Sequence, residues 1–286
     1  PSASGLSHNQ FDQFNVSSQG VILNNSNKPG VSQLGGAIAG NANFGGGSEA
    51  RTILNEVTGS SRSSIEGYTE IFGFAANYIL ANPNGITVNG GGFINTPKAT
   101  LSTGAPRLDA SGSLLGLDVR KGDVLVEGLG INAGNIDAFE IVSRTAKINA
   151  EIHAKRLGII AGQGSYDPAS EQSAPLAPDG LPTPGVVLDS TALGGMYAGR
   201  IKIVGTEAGM GVNLVGLTQA TEELTLTAAG RVELKGTVSS GKNLSVASTG
   251  DSVVVSGKVV AKDAATRAAM NEVESATPAP APAEAP

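Results

Sequence analysis

Few side chains in this sequence could carry chemistry, and their spacing decides what each can do. Asp118, Arg120, Lys121 and Asp123 form the only dense charged group. Glycoside hydrolysis needs paired carboxylates on one face, and polysaccharide lysis needs calcium beside a basic residue. These four straddle one predicted turn, so they read as a solvated corner. The only histidines, His8 and His153, are too few and too far apart for a histidine-based metal site. No metal or other cofactor is expected. Gly45-Gly46-Gly47 and Gly128-Leu129-Gly130 open no helix of a βαβ unit and lack the Gly-Lys-Ser/Thr ending of a phosphate loop; they read as turns. The run Asn82-Pro83-Asn84-Gly85-Ile86 is a dense turn signal. Proline fixes φ, asparagine bonds nearby backbone groups and tolerates left-handed φ, and glycine accepts it without steric cost. Asn82 and Asn84 should satisfy backbone groups at a corner, with Ile86 entering the core.

The elements around that turn recur along the chain. Tyr78-x-Leu80, Gly85 and Ile86-x-Val88-x-Gly90 form one copy. Leu117-x-Val119 with Gly122-x-Val124-x-Val126-x-Gly128 fits the same template, as does Ile201-x-Ile203 with Val212-x-Leu214-x-Gly216. Leu224-x-Leu226 leads to Gly230-x-Val232-x-Leu234-x-Gly236-x-Val238, and Leu244-x-Val246 leads to Val253-x-Val255-x-Gly257-x-Val259. Apolar positions two apart follow the period of a strand. A repeat of roughly twenty residues has no room for a helix and is too short for a propeller blade. It fits one turn of a coil built from short strands, with successive turns about 4.8 Å apart. The predicted fold is all-β: a right-handed parallel β-helix with an N-terminal cap and extra-helical β-hairpin or loop excursions. Leu226, Val246, Leu234 and Val255 should point inward and stack.

Composition agrees. The chain has 40 glycines, 7 phenylalanines, 4 tyrosines and no tryptophan. A narrow column favours stacked Val, Ile, Leu and Ala over large rings. A net charge of −6 argues against a nucleic-acid partner. No apolar run reaches the roughly eighteen residues that span a bilayer. The sequence opens Pro1-Ser2-Ala3 without a lysine-led signal segment, so a processed or trimmed N-terminus is expected. The absence of cysteine suits export, because no premature disulfide can trap an unfolded chain in an oxidising periplasm.

Along the chain, residues 1–62 read as a cap with lead-in strands, since an open coil end must be covered. Rungs should occupy residues 63–261. Residues 165–185 hold five prolines, so they should leave the coil as a surface excursion that a short Gly/Ser link could replace. Residues 262–286 should be a short helix followed by a Pro/Ala-rich linker. A repeat array that ends in a linker points to a piece of a longer protein.

The segment Arg51-Thr-Ile-Leu-Asn-Glu-Val57, with Gly67-Tyr-Thr-Glu-Ile71, Ala81-Asn-Pro-Asn-Gly-Ile86 and Gly90-Gly-Gly-Phe-Ile-Asn95, carries a resemblance. It is similar to the N-terminal secretion domain of two-partner secretion exoproteins, shared by filamentous-haemagglutinin-like adhesins and contact-dependent growth inhibition toxins. In that family Asn-Pro-Asn-Gly-Ile is the second of two asparagine motifs. The first is usually Asn-Pro-Asn-Leu, and Asn41-Ala42-Asn43-Phe44 stands in its place. The resemblance implies a monomeric secretion signal, not an enzyme. It would be recognised in the periplasm by a cognate outer-membrane β-barrel transporter with periplasmic domains. The exoprotein would be secreted to the cell surface or beyond, carrying the remainder of an adhesin or toxin. Asn41, Asn43, Asn82, Pro83, Asn84, Gly85 and Ile86 become the candidate residues for recognition or for turn building. Two alternatives remain: a β-helical polysaccharide-active enzyme, and an adhesin module that binds a ligand itself.

Overall fold

A computed structural model describes residues 1–44, 47–177 and 179–268. The period-two runs form short strands, and the Gly- and Asn-rich intervals form the corners between them. Asn77–Ala81, Ile86–Val88 and Gly92–Ile94 make one complete turn of a parallel β-helix. The turns stack into a 16-stranded and an 8-stranded sheet, both parallel throughout. Alternate side chains enter one continuous apolar column. Leu226 lies opposite Val246 and Leu234 opposite Val255, as the repeat predicts. Leu226, Leu234 and Val246 are buried, and Val255 is half-buried near the last rung.

The column departs from expectation in its aromatic content. Tyr78, Phe93 and Phe139 are all fully buried inside it. Tyr78 and Phe93 have ring centroids 5.8 Å apart, and Phe93 and Phe139 are 5.9 Å apart. The rungs nearest the cap are wide enough for tilted rings, whereas the later rungs hold Val, Leu and Met.

The cap is laddered into the coil. Leu6–Phe11 pairs in parallel with Thr52–Val57, and Val21–Asn25 pairs in parallel with Tyr68–Gly73. Gly30–Ser32 and Gly36–Ile38 form an antiparallel hairpin on its flank.

Three expectations are corrected. Leu117-x-Val119 is not part of a rung. Leu114–Val119 runs antiparallel to Ala105–Leu108 on one side and to Gly164–Asp167 on the other, outside the coil. Strands in a rung and in a hairpin share the period of two, so the pattern alone could not separate them. The segment 165–185 does leave the coil, but Gly164–Asp167 and Gln172–Ala174 extend this flanking sheet to four strands. Tyr166 is 2% exposed and packs in a second core with Leu117, Val119, Val142 and Ile160, so the whole stretch is not a dispensable loop. The helix expected after residue 261 is also absent at its start: Ala264–Ala268 is a strand, parallel to Asn243–Ser248. Residues 269–286, with the expected linker, lie outside the described residues.

Candidate functional site

The Asn82–Ile86 motif turns the corner between Asn77–Ala81 and Ile86–Val88. The Gly85 N–H donates to the Asn82 carbonyl at 3.0 Å, closing the turn. The Asn84 N–H donates to Asn82 Oδ1 at 2.9 Å, which makes an Asx turn. Asn82 is wholly buried. Its Nδ2 donates to the Ser61 carbonyl at 3.0 Å and to Ser63 Oγ at 2.9 Å, on the preceding rung. Asn84 Nδ2 donates to the Gly59 carbonyl at 2.8 Å. Ile86 is fully buried in the column, and Pro83 is half-buried.

Gly85 has φ +106°, and a Cβ there would collide with the Arg62 guanidinium. Arg62 forks onto Asp123 at 2.7 and 2.9 Å and also donates to Thr87 Oγ1 at 2.7 Å. That fork, with weaker help from Lys147, holds the Asp123 carboxyl below its ordinary pKa against the opposing effect of burial. Arg62 thus buttresses the turn from the previous rung.

The Asn41–Phe44 motif builds the same turn in the cap despite its different residues. The Asn43 N–H donates to Asn41 Oδ1 at 3.0 Å, and the Phe44 N–H donates to the Asn41 carbonyl at 3.3 Å. Asn41 Nδ2 donates to the Asn24 carbonyl at 2.9 Å. The Asn43 side chain is exposed and Phe44 is half-buried. Asn41, Asn43 and Phe44 border a cavity of ≈ 330 Å³ at the cap end, with Asn9, Asn24 and Asn55 across from them. The two motifs occupy different corners: one is locked into the coil and the other rims the cap.

The other charged candidates disperse. Asp118 accepts from Ser165 Oγ at 2.7 Å, Asp123 pairs with Arg62, and Arg120 faces Asp179 at 3.8 Å. His8 meets Glu56 at 2.7 Å, and His153 meets Glu151 at 2.8 Å while stacking on Tyr197. Among the described residues, no cluster of three or more His, Asp or Glu could hold a metal ion. Among them, too, no helix is long and apolar enough to cross a membrane. Gly128 and Gly130 have positive φ, at 57° and 65°, as turn residues do; Gly45 and Gly46 lie outside the described residues.

Two glutamates have structural roles not expected from the sequence, although Glu70 lies in the segment Gly67–Ile71 that carries part of the resemblance. Glu70 is 3% exposed and binds the cap hairpin through Ser32 Oγ at 2.7 Å and the Gln33 and Leu34 N–H groups at 2.8 Å each. Burial alone would raise its pKa, but these three donors outweigh burial and hold it below the ordinary value. Glu140 is 4% exposed and receives the Thr100 and Tyr166 hydroxyls at 3.0 and 2.9 Å. Each is a lone carboxylate inside a strand, in Thr-Glu-Ile-Phe and Phe-Glu-Ile-Val. A charge in such a run is a legible sign that something packs on the outer face.

Residues 1–234 match the family model described as the TPS secretion domain. The "16S rRNA endonuclease CdiA" of Enterobacter cloacae subsp. cloacae is 50% identical over 242 residues, which cover 84% of this chain and 7% of that protein. The "tRNA nuclease CdiA" of Escherichia coli strain NC101 is 45% identical over 256 residues, 88% of this chain and 8% of that protein. The crystal structure of a filamentous hemagglutinin secretion domain superposes with a TM-score of 0.75 at 34% identity, covering 94% of this chain and 88% of that one. The chain therefore spans under a tenth of the length of these curated relatives.

Proposed function

The chain belongs to the TPS secretion domain family, and from that premise we propose how it works: it is read in the periplasm by the periplasmic domains of its transporter, threaded through the barrel, and folded outside. Its role is that of the secretion domain of a two-partner exoprotein, whose partner is a cognate outer-membrane transporter and whose destination is the cell surface. The observation that carries this reading is the family match over residues 1–234. The fold supplies a physical rationale for transport. In a solenoid each rung rests on its neighbour, so folding can start at one end and propagate. Every rung formed outside opposes backsliding without nucleotide hydrolysis.

Within this reading the chain acts as a monomer, does not bind nucleic acid, and delivers a downstream adhesin or growth-inhibition toxin. The relatives named as nucleases favour a toxin. The domain itself is non-catalytic, and the dispersal of Asp118 and Asp123 into separate contacts gives the polysaccharide-enzyme alternative no support.

Transporter dependence tests the proposal. Expressed beside its cognate transporter, the chain should accumulate in the medium. Beside a transporter lacking its periplasmic domains, it should stay in the cell. Equal export in both strains would overturn the reading.

A further inference from the structure

One outward-facing column of side chains runs the length of the long sheet. Strand register aligns Leu54, Ile79, Thr100 and Glu140, and then, across Gly158, Lys202 and Thr225. Its character changes partway. Leu54, Ile79, Thr100 and Glu140 are buried, whereas Lys202 and Thr225 are polar and exposed. The change coincides with the flanking sheet, which covers the early rungs only.

The last pieces of that sheet arrive late in the chain. Gly162, at φ +117°, turns the backbone away after Glu151–Ala161 completes its rung. Residues 164–174 then cross back over rungs made much earlier. Tyr166 reaches Glu140, which also holds Lys98 at 2.7 Å. Lys98 Nζ donates to the Pro168 carbonyl at 2.9 Å and meets Glu171 at 3.1 Å, and Arg156 binds Glu171 at 2.9 Å. Without residues 164–174, Lys98 and Glu140 would be ordinary solvated charges on an open sheet face. With them, Glu140 and Tyr166 are sealed beside the apolar side chains of the second core. Such a buried cluster is stable only when every partner is present.

We propose that residues 164–174 are a strap that closes last over the outer face, binding the rungs before residue 162 into one cooperative unit. The rungs after residue 185 carry no strap and remain a stack in which each rung opens on its own. A bare solenoid opens rung by rung from its ends; a strapped one must first release its outer cover. The strap does not depend on the secretion role, and its test needs no transporter.

The test is native-state hydrogen exchange on the purified chain, parent against Tyr166→Ala. The variant should exchange about a hundredfold faster in residues 105–119 and 164–174. Residues 52–57, 77–81, 98–102 and 138–143 should share one opening rate in the parent and separate into individual rates in the variant. Residues 217–228 and 243–248 should not change. No change at 105–119, or equal acceleration of 217–248, would overturn the proposal. Pulse-labelled refolding of the parent decides the case independently should the variant not fold. Residues 98–102 and 138–143 should gain protection before 114–119 and 164–167, and the reverse or simultaneous order would overturn the strap.

Discussion

Replacing Asn82 with alanine isolates what the buried motif contributes. The side chain is wholly buried and makes four hydrogen bonds: it donates to the Ser61 carbonyl and Ser63 Oγ, and its Oδ1 accepts from the Asn84 N–H and, at 3.1 Å, from the end of the Asn84 side chain, Nδ2, which water can replace. Ser63 is 1% exposed, so its hydroxyl would be left dry and unpaired, at about 1–3 kcal/mol. The Ser61 carbonyl and Asn84 N–H lie where water can reach them in part, so each loss should cost about 0.5–1 kcal/mol. The expected destabilisation is about 2–5 kcal/mol, read from urea unfolding followed by circular dichroism. Asn82→Asp keeps the acceptor but sets a carboxylate oxygen against the Ser61 carbonyl at a wholly buried site, so above the usual carboxylate range it should destabilise at least as much as alanine. If Asn82→Ala unfolds within about 0.5 kcal/mol of the parent, the hydrogen bonds do not hold the corner and the reasoning fails.

Other outcomes follow from neighbouring contacts. Ile86→Ala empties a fully buried site in the column and should cost about 2–5 kcal/mol in the same assay. Because the Glu70 pKa is lowered by folding, its clamp contributes fully above the usual carboxylate range and is lost as pH falls through the lowered value. The protection of residues 30–38 against hydrogen exchange, relative to the intrinsic rate at each pH, should therefore fall in acid, and Glu70→Gln should remove that pH dependence. The described residues of 175–185 meet the rest of the fold at few points: Arg120 and Gln163 donate to the Ala177 carbonyl, Arg120 faces Asp179, and the Gly211 N–H donates to the Gly185 carbonyl. Replacing them with a short Gly/Ser link should shift stability by less than about 1 kcal/mol, whereas a replacement that extends back through Tyr166 should open the second core.

The coil is legible because its rule is local. The period of two, the glycine spacing and the interval of roughly twenty residues belong to every rung, so spacing alone pairs Leu226 with Val246. What lies outside the coil obeys no such rule. Leu117 and Val119 show the same alternation as a rung strand yet face the other side of the wall. Their partner strand, Gly164–Asp167, lies far along the chain and follows no repeat. The Asn82–Ile86 corner is readable residue by residue, since turn chemistry is local as well. The Arg62 fork against Gly85 is not, because its partner Asp123 comes from another rung. In the cap, alanine and phenylalanine hide a turn that Asn41 alone suffices to set.

We propose that the two motifs divide the work: the coil motif acts through the turn it builds, and the cap motif is presented for recognition. Secretion by the cognate transporter, measured beside the unfolding of each purified variant, tests that division. Asn84→Ala loses its bond to the Gly59 carbonyl and should lower stability by about 1 kcal/mol, with secretion falling only in step. Asn43→Ala alters an exposed side chain on the rim of the cap and should lower secretion while unfolding like the parent. If Asn84→Ala instead abolishes secretion yet unfolds like the parent, the coil motif is itself the recognition element and the division is wrong.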